Sequence, residues 1–249
     1  MKAMVLAAGL GTRLRPLTND RPKALVEVCG RTLLEITLAR LRDFGIRDVI
    51  VNVHHYADMV IDRVRSAGNF GMHIEFSRED VLLDTGGGLK KAARFLGENP
   101  SANKNEPFIL HNVDVISTID LQRMVEAHKK NEALATLAVQ DRKTSRYLIF
   151  DEQLQLCGRR LIKEDKTEIV RPAQNMTELA FAGIHVISPR IFPLLTEDGV
   201  FSIIPAYLRL AAQGEKIQAF RADEYYWRDL GKPENIQQAE HDMKANMIR

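Results

Sequence analysis

The sequence lacks the features that mark secreted and membrane proteins. Its 249 residues include only two cysteines, Cys29 and Cys157, which are far apart and show no paired metal spacing. Free thiols in a reducing compartment are the simplest account of them. No apolar run is long enough to span a bilayer, and the apolar stretch before Gly9 is too short for a signal peptide. We therefore expect a cytoplasmic, soluble protein with no membrane partner.

A strong charge of one sign is lacking as well. The chain carries 35 basic and 33 acidic residues, for a formal net charge of +2, and no basic patch is visible. Nucleic-acid binding is therefore not expected. An apolar content of 45% and a charged content of 27% are ordinary for a globular protein, and α/β chains of this length commonly form one unit. We expect a single domain over residues 1–249, as a monomer or small homo-oligomer.

The first two dozen residues contain the most specific pattern. A short apolar run, Met4 to Ala8, predicts a buried strand, and Gly9 and Gly11 then permit turns with positive φ. Such a loop leaves backbone N–H groups bare and able to wrap a phosphate. Three cations that complement phosphate follow in the sequence: Arg13, Arg15 and Lys23. We expect a nucleotide to bind at this loop.

Two familiar glycine loops do not fit this pattern. The dinucleotide fingerprint needs a third glycine where Leu14 stands, and the Gly-Lys-Ser/Thr ending of a Walker A loop is absent. On glycine spacing alone, a tight strand-to-helix turn with solvated arginines remains an equal alternative.

Apolar periodicity predicts alternating strands and helices along the rest of the chain. Strands are predicted over 49–53, 73–77, 107–111, 135–139, 180–187 and 217–220, and a hairpin over 147–156. Helices are predicted over 33–44, 56–66, 89–96, from about 117, over 202–213 and over 233–243, the first with a capping box at Thr32 and Glu35. The early β-α-β-α-β order is typical of a parallel sheet. The segment 142–178 is interpreted as an insertion over one side of the site.

A second glycine cluster runs from Asp84 to Gly88. It is predicted to precede a helix that begins at Leu89, with Lys90 and Lys91 in its first turn. Helix N-termini attract anions through their unpaired N–H groups. Composition alone favours a flexible turn, because glycine clusters usually punctuate structure.

Two acidic residues follow predicted strands. Asp114 and Asp229 are separated by 115 positions (229 − 114), so only the fold can bring them together. Mg²⁺ bound by one or two carboxylates plus substrate phosphates suits this placement, whereas a turn or N-cap role is the alternative for each Asp alone. His54 and His55 end a strand without a third ligand nearby, which favours a polar strand end over a metal site.

The full string from Gly9 to Thr18, followed by Pro22-Lys23-Ala24-Leu25, resembles the signature of sugar-1-phosphate nucleotidyltransferases. Three later segments are also similar to that family: Leu83 to Gly87, Asn112-x-Asp114, and Trp227-x-Asp229-x-Gly231-x-Pro233. The resemblance covers nearly the whole chain and implies a Rossmann-like, mostly parallel sheet flanked by helices, as in GT-A-like folds. The long C-terminal β-helix of some larger relatives is missing.

The resemblance also implies roles for individual residues. Arg13 would hold the leaving pyrophosphate, Lys23 would bridge the attacking and α-phosphates, and Mg²⁺ would bind Asp114 and Asp229. The nucleotide would contact Ala8, Gly9, Gly11, Thr12, Arg13, Gly86, Gly87 and Asn112.

Three positions carry the expectations for the sugar side. Where relatives have a Glu-x-Lys-Pro-like segment, this chain has Val170-Arg171-Pro172, so Arg171 is the candidate cation for the sugar phosphate, although Arg and Lys are not equivalent there. Gly183 stands inside a predicted strand, where glycine marks a bulge or the close approach of a ligand. Val113 replaces a residue that is commonly small in the family.

The implied partners are a nucleoside triphosphate and a sugar 1-phosphate, which react to form a nucleotide sugar and pyrophosphate. The chain looks most like the compact uridylyltransferases that act on N-acetylmuramate 1-phosphate. GTP with mannose or heptose 1-phosphate and CTP with phosphocholine stay open. A catalytically silent nucleotide-binding subunit is a further alternative, against which the intact set of charged residues argues. Leu14 disfavours a nicotinamide-dependent oxidoreductase.

Overall fold

The computed structural model describes residues 1–97 and 106–245. Within these residues the strands are β1 (Lys2–Leu6), β2 (Glu27–Val28), β3 (Arg31–Thr32), β4 (Asp48–Val53), β5 (His73–Arg78), β6 (Phe108–Asn112), β7 (Val115–Ser117), β8 (Ala135–Gln140), β9 (Arg146–Phe150), β10 (Leu156–Leu161), β11 (Lys166–Ile169), β12 (Thr177–Ile187), β13 (Ile217–Arg221) and β14 (Trp227–Asp229). The α-helices are α1 (Leu33–Asp43), α2 (Ala57–Ser66), α3 (Asp84–Lys91), α4 (Ala93–Gly97), α5 (Leu121–Lys130), α6 (Ile203–Ala212) and α7 (Pro233–Lys244).

Ten of these strands form one mixed sheet whose core is parallel. The order β6-β1-β4-β5 is parallel throughout, with Met4 opposite Ile50 on one side and Leu110 on the other. The inner strands β1, β4 and β6 are buried on both faces, as expected for parallel strands, whereas the edge strand β5 exposes alternate residues. The fold class predicted from the sequence is confirmed, and the described residues contain no β-helix.

An antiparallel half continues the sheet from β12. This strand pairs with β6, β8 and β9, and β10 and β11 extend the sheet further outward, while β13 lies parallel to β8. The predicted hairpin is therefore present, and the segment 142–178 contributes the three strands β9, β10 and β11 to the main sheet. The register between β12 and β8 shifts between Phe181 and His185, so Gly183, at φ +77°, lies in a bulge.

Two predicted helix starts are wrong. Helix α3 begins at Asp84, so the glycines lie inside it and Lys90 and Lys91 lie in its last turn. Helix α5 begins at Leu121 rather than near Ser117, because Asp120 caps it through the Arg123 amide (2.9 Å). Residues 115–117 instead pair with β14.

Among the helices of residues 1–97 and 106–245, none combines the length and the apolar character needed to cross a bilayer.

Two buried histidines lie on adjacent strands at the centre of the sheet. His111 on β6 is opposite Ile184, and His185 on β12 is opposite Leu110. His185 is hydrogen-bonded to the Tyr207 hydroxyl at 3.1 Å. Burial, reinforced by the positive charge of Arg40, lowers the pKa of His111 to about 4. Burial lowers the pKa of His185 to about 3. Both rings are therefore neutral near neutral pH.

These pKa shifts predict that the free energy of unfolding falls on acidification. The folded-state pKa lies below the unfolded value of about 6.5, so the stabilisation is complete above that pH and is lost as the pH falls toward the folded value. His185→Gln should reduce the pH dependence between pH 6 and 5 by about 1.4 kcal/mol per pH unit, measured by urea unfolding. The exposed His241→Gln is the control. An unchanged slope in His185→Gln would contradict this account.

Candidate active site

A cavity of about 440 Å³ opens where β1, β4 and β6 end. This is the carboxyl edge of the parallel strands, where open α/β sheets bind ligands. Five residues predicted for the site line the cavity: Ala8, Gly9, Lys23, Asn112 and Asp114. The sequence pattern did not single out three further lining residues, Asn52, Glu79 and Thr85.

The loop after β1 presents backbone amides that have no partner in the protein. Within the described residues, the N–H groups from Ala8 to Gly11 donate no hydrogen bond. Gly11 has φ +66°, and its carbonyl accepts a bond from the Thr18 hydroxyl at 2.9 Å. A Cβ on Gly11 would lie 3.0 Å from Thr18 and 3.1 Å from Lys23. Glycine is thus required here by conformation and by space.

A buried polar network holds the base of this loop. The Asn52 side-chain oxygen accepts the Ala7 amide at 2.7 Å, and its nitrogen donates to Glu79 at 2.7 Å. The other Glu79 oxygen accepts the Leu83 amide at 2.9 Å. Gly88 packs against this pair, since a Cβ there would lie 2.9 Å from Glu79. The network joins the loop, β4, β5 and the start of α3.

Lys23 and Asp114 form an ion pair at the cavity wall. The Lys23 ammonium contacts the Asp114 carboxylate directly, and the whole lysine is only 9% exposed. Each charge offsets part of the desolvation cost of the other, so removal of either leaves a largely buried, unpaired ion. Val113, between Asn112 and Asp114, is buried, and its amide donates to Leu6 at 3.2 Å.

The fold brings Asp229 to the same edge. Strand β14 pairs with β7, so that Asp229 lies opposite Val115, and the Leu230 amide donates to the Asp114 carbonyl at 2.8 Å. The Asp229 carboxylate accepts the Gly231 amide at 2.8 Å. Within the described ranges no three His, Cys, Asp or Glu side chains cluster. A carboxylate in the β6–β7 turn and one on β14 suit a Mg²⁺ ion whose remaining ligands would be substrate oxygens and water.

Gly231 allows Arg13 to approach Asp229. A Cβ on Gly231 would lie 2.7 Å from the Asp229 carboxylate and 2.8 Å from the Arg13 guanidinium. Arg13 is exposed, as is Thr12 beside it. The sequence resemblance named Gly231 only as part of a motif; its function in spacing these two charges requires the structure.

The glycines of α3 pack against the protein. The amides of Gly86 and Gly87 donate to the Phe201 carbonyl at 2.9 and 3.2 Å. A Cβ on Gly86 would clash with the Phe201 ring at 2.3 Å, and one on Gly87 with the Gly199 carbonyl at 2.3 Å. These contacts explain the glycines without a ligand, and their contact with a nucleotide stays a prediction.

The sugar-side candidates separate in the structure. Gly183 lies at the site, because a Cβ there would be 3.0 Å from the Asn112 amide nitrogen. Arg171 is not brought to the cavity-lining residues; its guanidinium contacts the buried Asp151 carboxylate and the Leu156 carbonyl. The expectation that Arg171 binds the sugar phosphate stays a prediction, and in this structure its charge is paired with Asp151, which lies between β9 and β10. His54 contacts the Glu79 carbonyl at 2.8 Å, which agrees with a polar strand end.

These features define an α/β protein with free loop amides, a buried Lys–Asp pair and two carboxylates at the carboxyl edge of a parallel sheet. The chain belongs to the nucleotidyl transferase family, whose profile matches residues 2–246, and within it to the sugar-1-phosphate nucleotidyltransferases. It is thus a nucleotidyltransferase.

Two curated relatives illustrate this similarity. An N-acetylmuramate alpha-1-phosphate uridylyltransferase from Caulobacter vibrioides is 38% identical over 241 residues, which cover 93% of this chain and 92% of the relative. A mannose-1-phosphate guanyltransferase from Yarrowia lipolytica is 30% identical, over 95% of this chain and 62% of the relative.

Solved structures share the fold. HddC from Yersinia pseudotuberculosis, complexed with GMP-PN, superposes with a TM-score of 0.74 at 23% identity, covering 97% of this chain and 99% of that one. UDP-glucose pyrophosphorylase complexed with UDP-glucose gives a TM-score of 0.74 at 19% identity, with 98% of both chains covered.

The geometry of Gly11 predicts a selective loss of activity on substitution. Gly11→Ala should lower the rate of pyrophosphate release at least tenfold, because the added methyl group meets Thr18 and displaces Lys23. Gly30→Ala is the matched control, since Gly30 has φ +75° but open space around its Cβ position. Strain from positive φ should cost each variant about 1–2 kcal/mol of stability. Equal activity of the two variants would refute the steric argument.

Proposed function

We propose that this protein transfers UMP from UTP to N-acetylmuramate 1-phosphate, forming UDP-N-acetylmuramate and pyrophosphate. The observation that carries the proposal is the Lys23–Asp114 pair beside a loop of free backbone amides. The choice of these two substrates rests on the relative of that name, which matches most of both chains at 38% identity.

The reaction is an in-line displacement at the α-phosphorus. An oxygen of the sugar 1-phosphate forms a bond to this phosphorus as the bond to the bridging oxygen of pyrophosphate breaks. Such transfers need positioning and charge neutralisation more than covalent help from the protein. The free amides from Gly9 to Gly11 bind the triphosphate, and Arg13 neutralises the leaving pyrophosphate.

Lys23 acts at the junction of the two substrates. Its ammonium, held at the cavity wall by Asp114, neutralises the sugar phosphate and the α-phosphate as they approach. Asp114 and Asp229 are the residues that would hold Mg²⁺, which supplies Lewis-acid polarisation of the α-phosphate when bound. Asn112 contacts the nucleotide, and Gly183, which adjoins Asn112, is on the acceptor side.

A second candidate is GMP transfer to mannose 1-phosphate, favoured by the guanyltransferase relative at 30% identity. This chain spans only 62% of that relative. Heptose 1-phosphate with GTP and phosphocholine with CTP remain further acceptor pairs, and a silent nucleotide-binding subunit is the alternative from another class.

A substrate grid tests the proposal. Pyrophosphate release is measured for four nucleoside triphosphates against a panel of sugar 1-phosphates and phosphocholine. We expect kcat/KM for UTP with N-acetylmuramate 1-phosphate to exceed every other pair at least tenfold and to vanish in excess chelator. Preference for GTP and mannose 1-phosphate would select the second candidate. Absence of release from every pair, with calorimetric binding of a nucleotide retained, would indicate the silent subunit.

Lys23 variants test the mechanism. Because the ammonium neutralises groups that approach only in the transition state, Lys23→Ala should lower kcat and kcat/KM together by at least a hundredfold, with triphosphate binding weakened only modestly. Lys23→Arg should restore little, since a planar fork does not fit a point-charge position between two phosphates. Thermal melts of both variants control for the unpaired Asp114. Near wild-type rates in either variant would overturn the assignment.

A further inference from the structure

Arg142 places a positive charge over Trp227 and beside the β12 bulge, on the side assigned to the sugar. It follows β8, and its guanidinium stacks 3.7 Å over the ring of Trp227, two residues before Asp229. One terminal nitrogen donates to the Phe181 carbonyl at 2.7 Å. The Trp227 indole N–H in turn donates to the Ala182 carbonyl at 2.7 Å. The side chain is therefore fixed against the β12 bulge.

The charge of Arg142 has no carboxylate partner within the described residues. Its Nε is buried and makes no hydrogen bond there. Arg40 shares this pattern, but both of its terminal nitrogens are bound, one to the Ser117 hydroxyl and the other to the Ile119 carbonyl. Four further half-buried arginines contact a carboxylate: Arg159, Arg171, Arg209 and Arg228. A half-buried cation with an unused donor favours an anion that is brought by a ligand.

The position of Arg142 indicates which ligand. Asn112 and Asp114 line the cavity. The Asp114 carbonyl accepts the amide of Leu230, the residue after Asp229. Asn112 adjoins Gly183, in the bulge beside Arg142. Burial lowers the pKa of Arg142, whereas the negative charge of Asp229 acts to raise it. Through the carbonyls of Phe181 and Ala182, Arg142 and Trp227 adjoin the bulge at Gly183, on the side assigned to the sugar.

We propose that Arg142 determines acceptor specificity by binding a carboxylate carried by the sugar of the 1-phosphate substrate. The inference rests on the proposed function, in which Lys23 and the two aspartates already serve the phosphates, so that Arg142 is left for a second anion. Guanidinium matches a carboxylate through two parallel hydrogen bonds, and Trp227 fixes the plane of the fork. N-acetylmuramate 1-phosphate carries such a carboxylate on its lactyl group, and N-acetylglucosamine 1-phosphate lacks it.

The test compares these two sugars in Arg142→Gln with UTP held constant. We expect kcat/KM for the acidic sugar to fall 10- to 100-fold more than for the neutral one, mainly through KM, because a charge-assisted bond is lost in both ground and transition states. Arg142→Lys should retain part of the preference. Arg146→Gln, an exposed arginine of the same segment, is the matched control and should leave the ratio unchanged.

The other outcomes distinguish failure of this inference from failure of the proposed function. Equal loss for both sugars would assign Arg142 to the phosphate or to packing on Trp227, and no loss would exclude contact with the sugar. If the wild type does not use N-acetylmuramate 1-phosphate, the proposed function fails, and the same ratio is read from glucuronate 1-phosphate against glucose 1-phosphate. A wild type that prefers neither acidic sugar would overturn the assignment of Arg142 as well.

Discussion

The contact between Lys23 and Asp114 is the constraint on which the rest of the site depends. The two charges are removed from most of the surrounding water, so each needs the other as a partner. The loop after β1 and strand β6 together hold them in contact. Gly11 positions Lys23 from the loop, because it has no side chain where Lys23 passes. The Gly11 carbonyl accepts a hydrogen bond from the Thr18 hydroxyl. Strand β6, which is paired with β1 on one side and β12 on the other, positions Asp114 just beyond its end. The parallel core and the antiparallel half therefore both position this pair.

A second support acts below the loop. Asn52 and Glu79 are hydrogen-bonded to each other. Asn52 also accepts the Ala7 amide and Glu79 the Leu83 amide, so the loop is anchored without a ligand. The amides beyond Ala7 stay free and are held in one geometry, which reduces the ordering cost that binding would otherwise carry. Gly88 is part of this arrangement because it leaves room for the buried pair. This packing explains why a run of poor helix formers lies inside α3.

Local patterns were enough to predict much of this architecture. The capping box at Thr32 and Glu35, the alternation of strands and helices, and the glycine loop all depend on neighbours in sequence, and the structure contains each of them. The start of α3 was missed because its first turn is bonded to the distant Phe201, and Ser117 was assigned to α5 because its pairing with β14 is not visible in the local sequence. Asn52, Gly231 and Arg142 were missed for the same reason: each owes its role to a residue far away in the chain. Arg171 matched a motif position, yet Asp151 pairs with its charge.

The late position of β14 in the chain has a consequence for the order in which this site forms during synthesis. The loop after β1 and the strands that hold it are contributed by the first half of the chain, whereas Asp229 and Gly231 come from its last tenth. Contacts of such long sequence separation form late and slowly. A nascent chain on the ribosome thus contains most of the cavity-lining residues long before it contains both carboxylates. Under the proposed mechanism, catalytic competence is acquired only when the final strand has docked against β7.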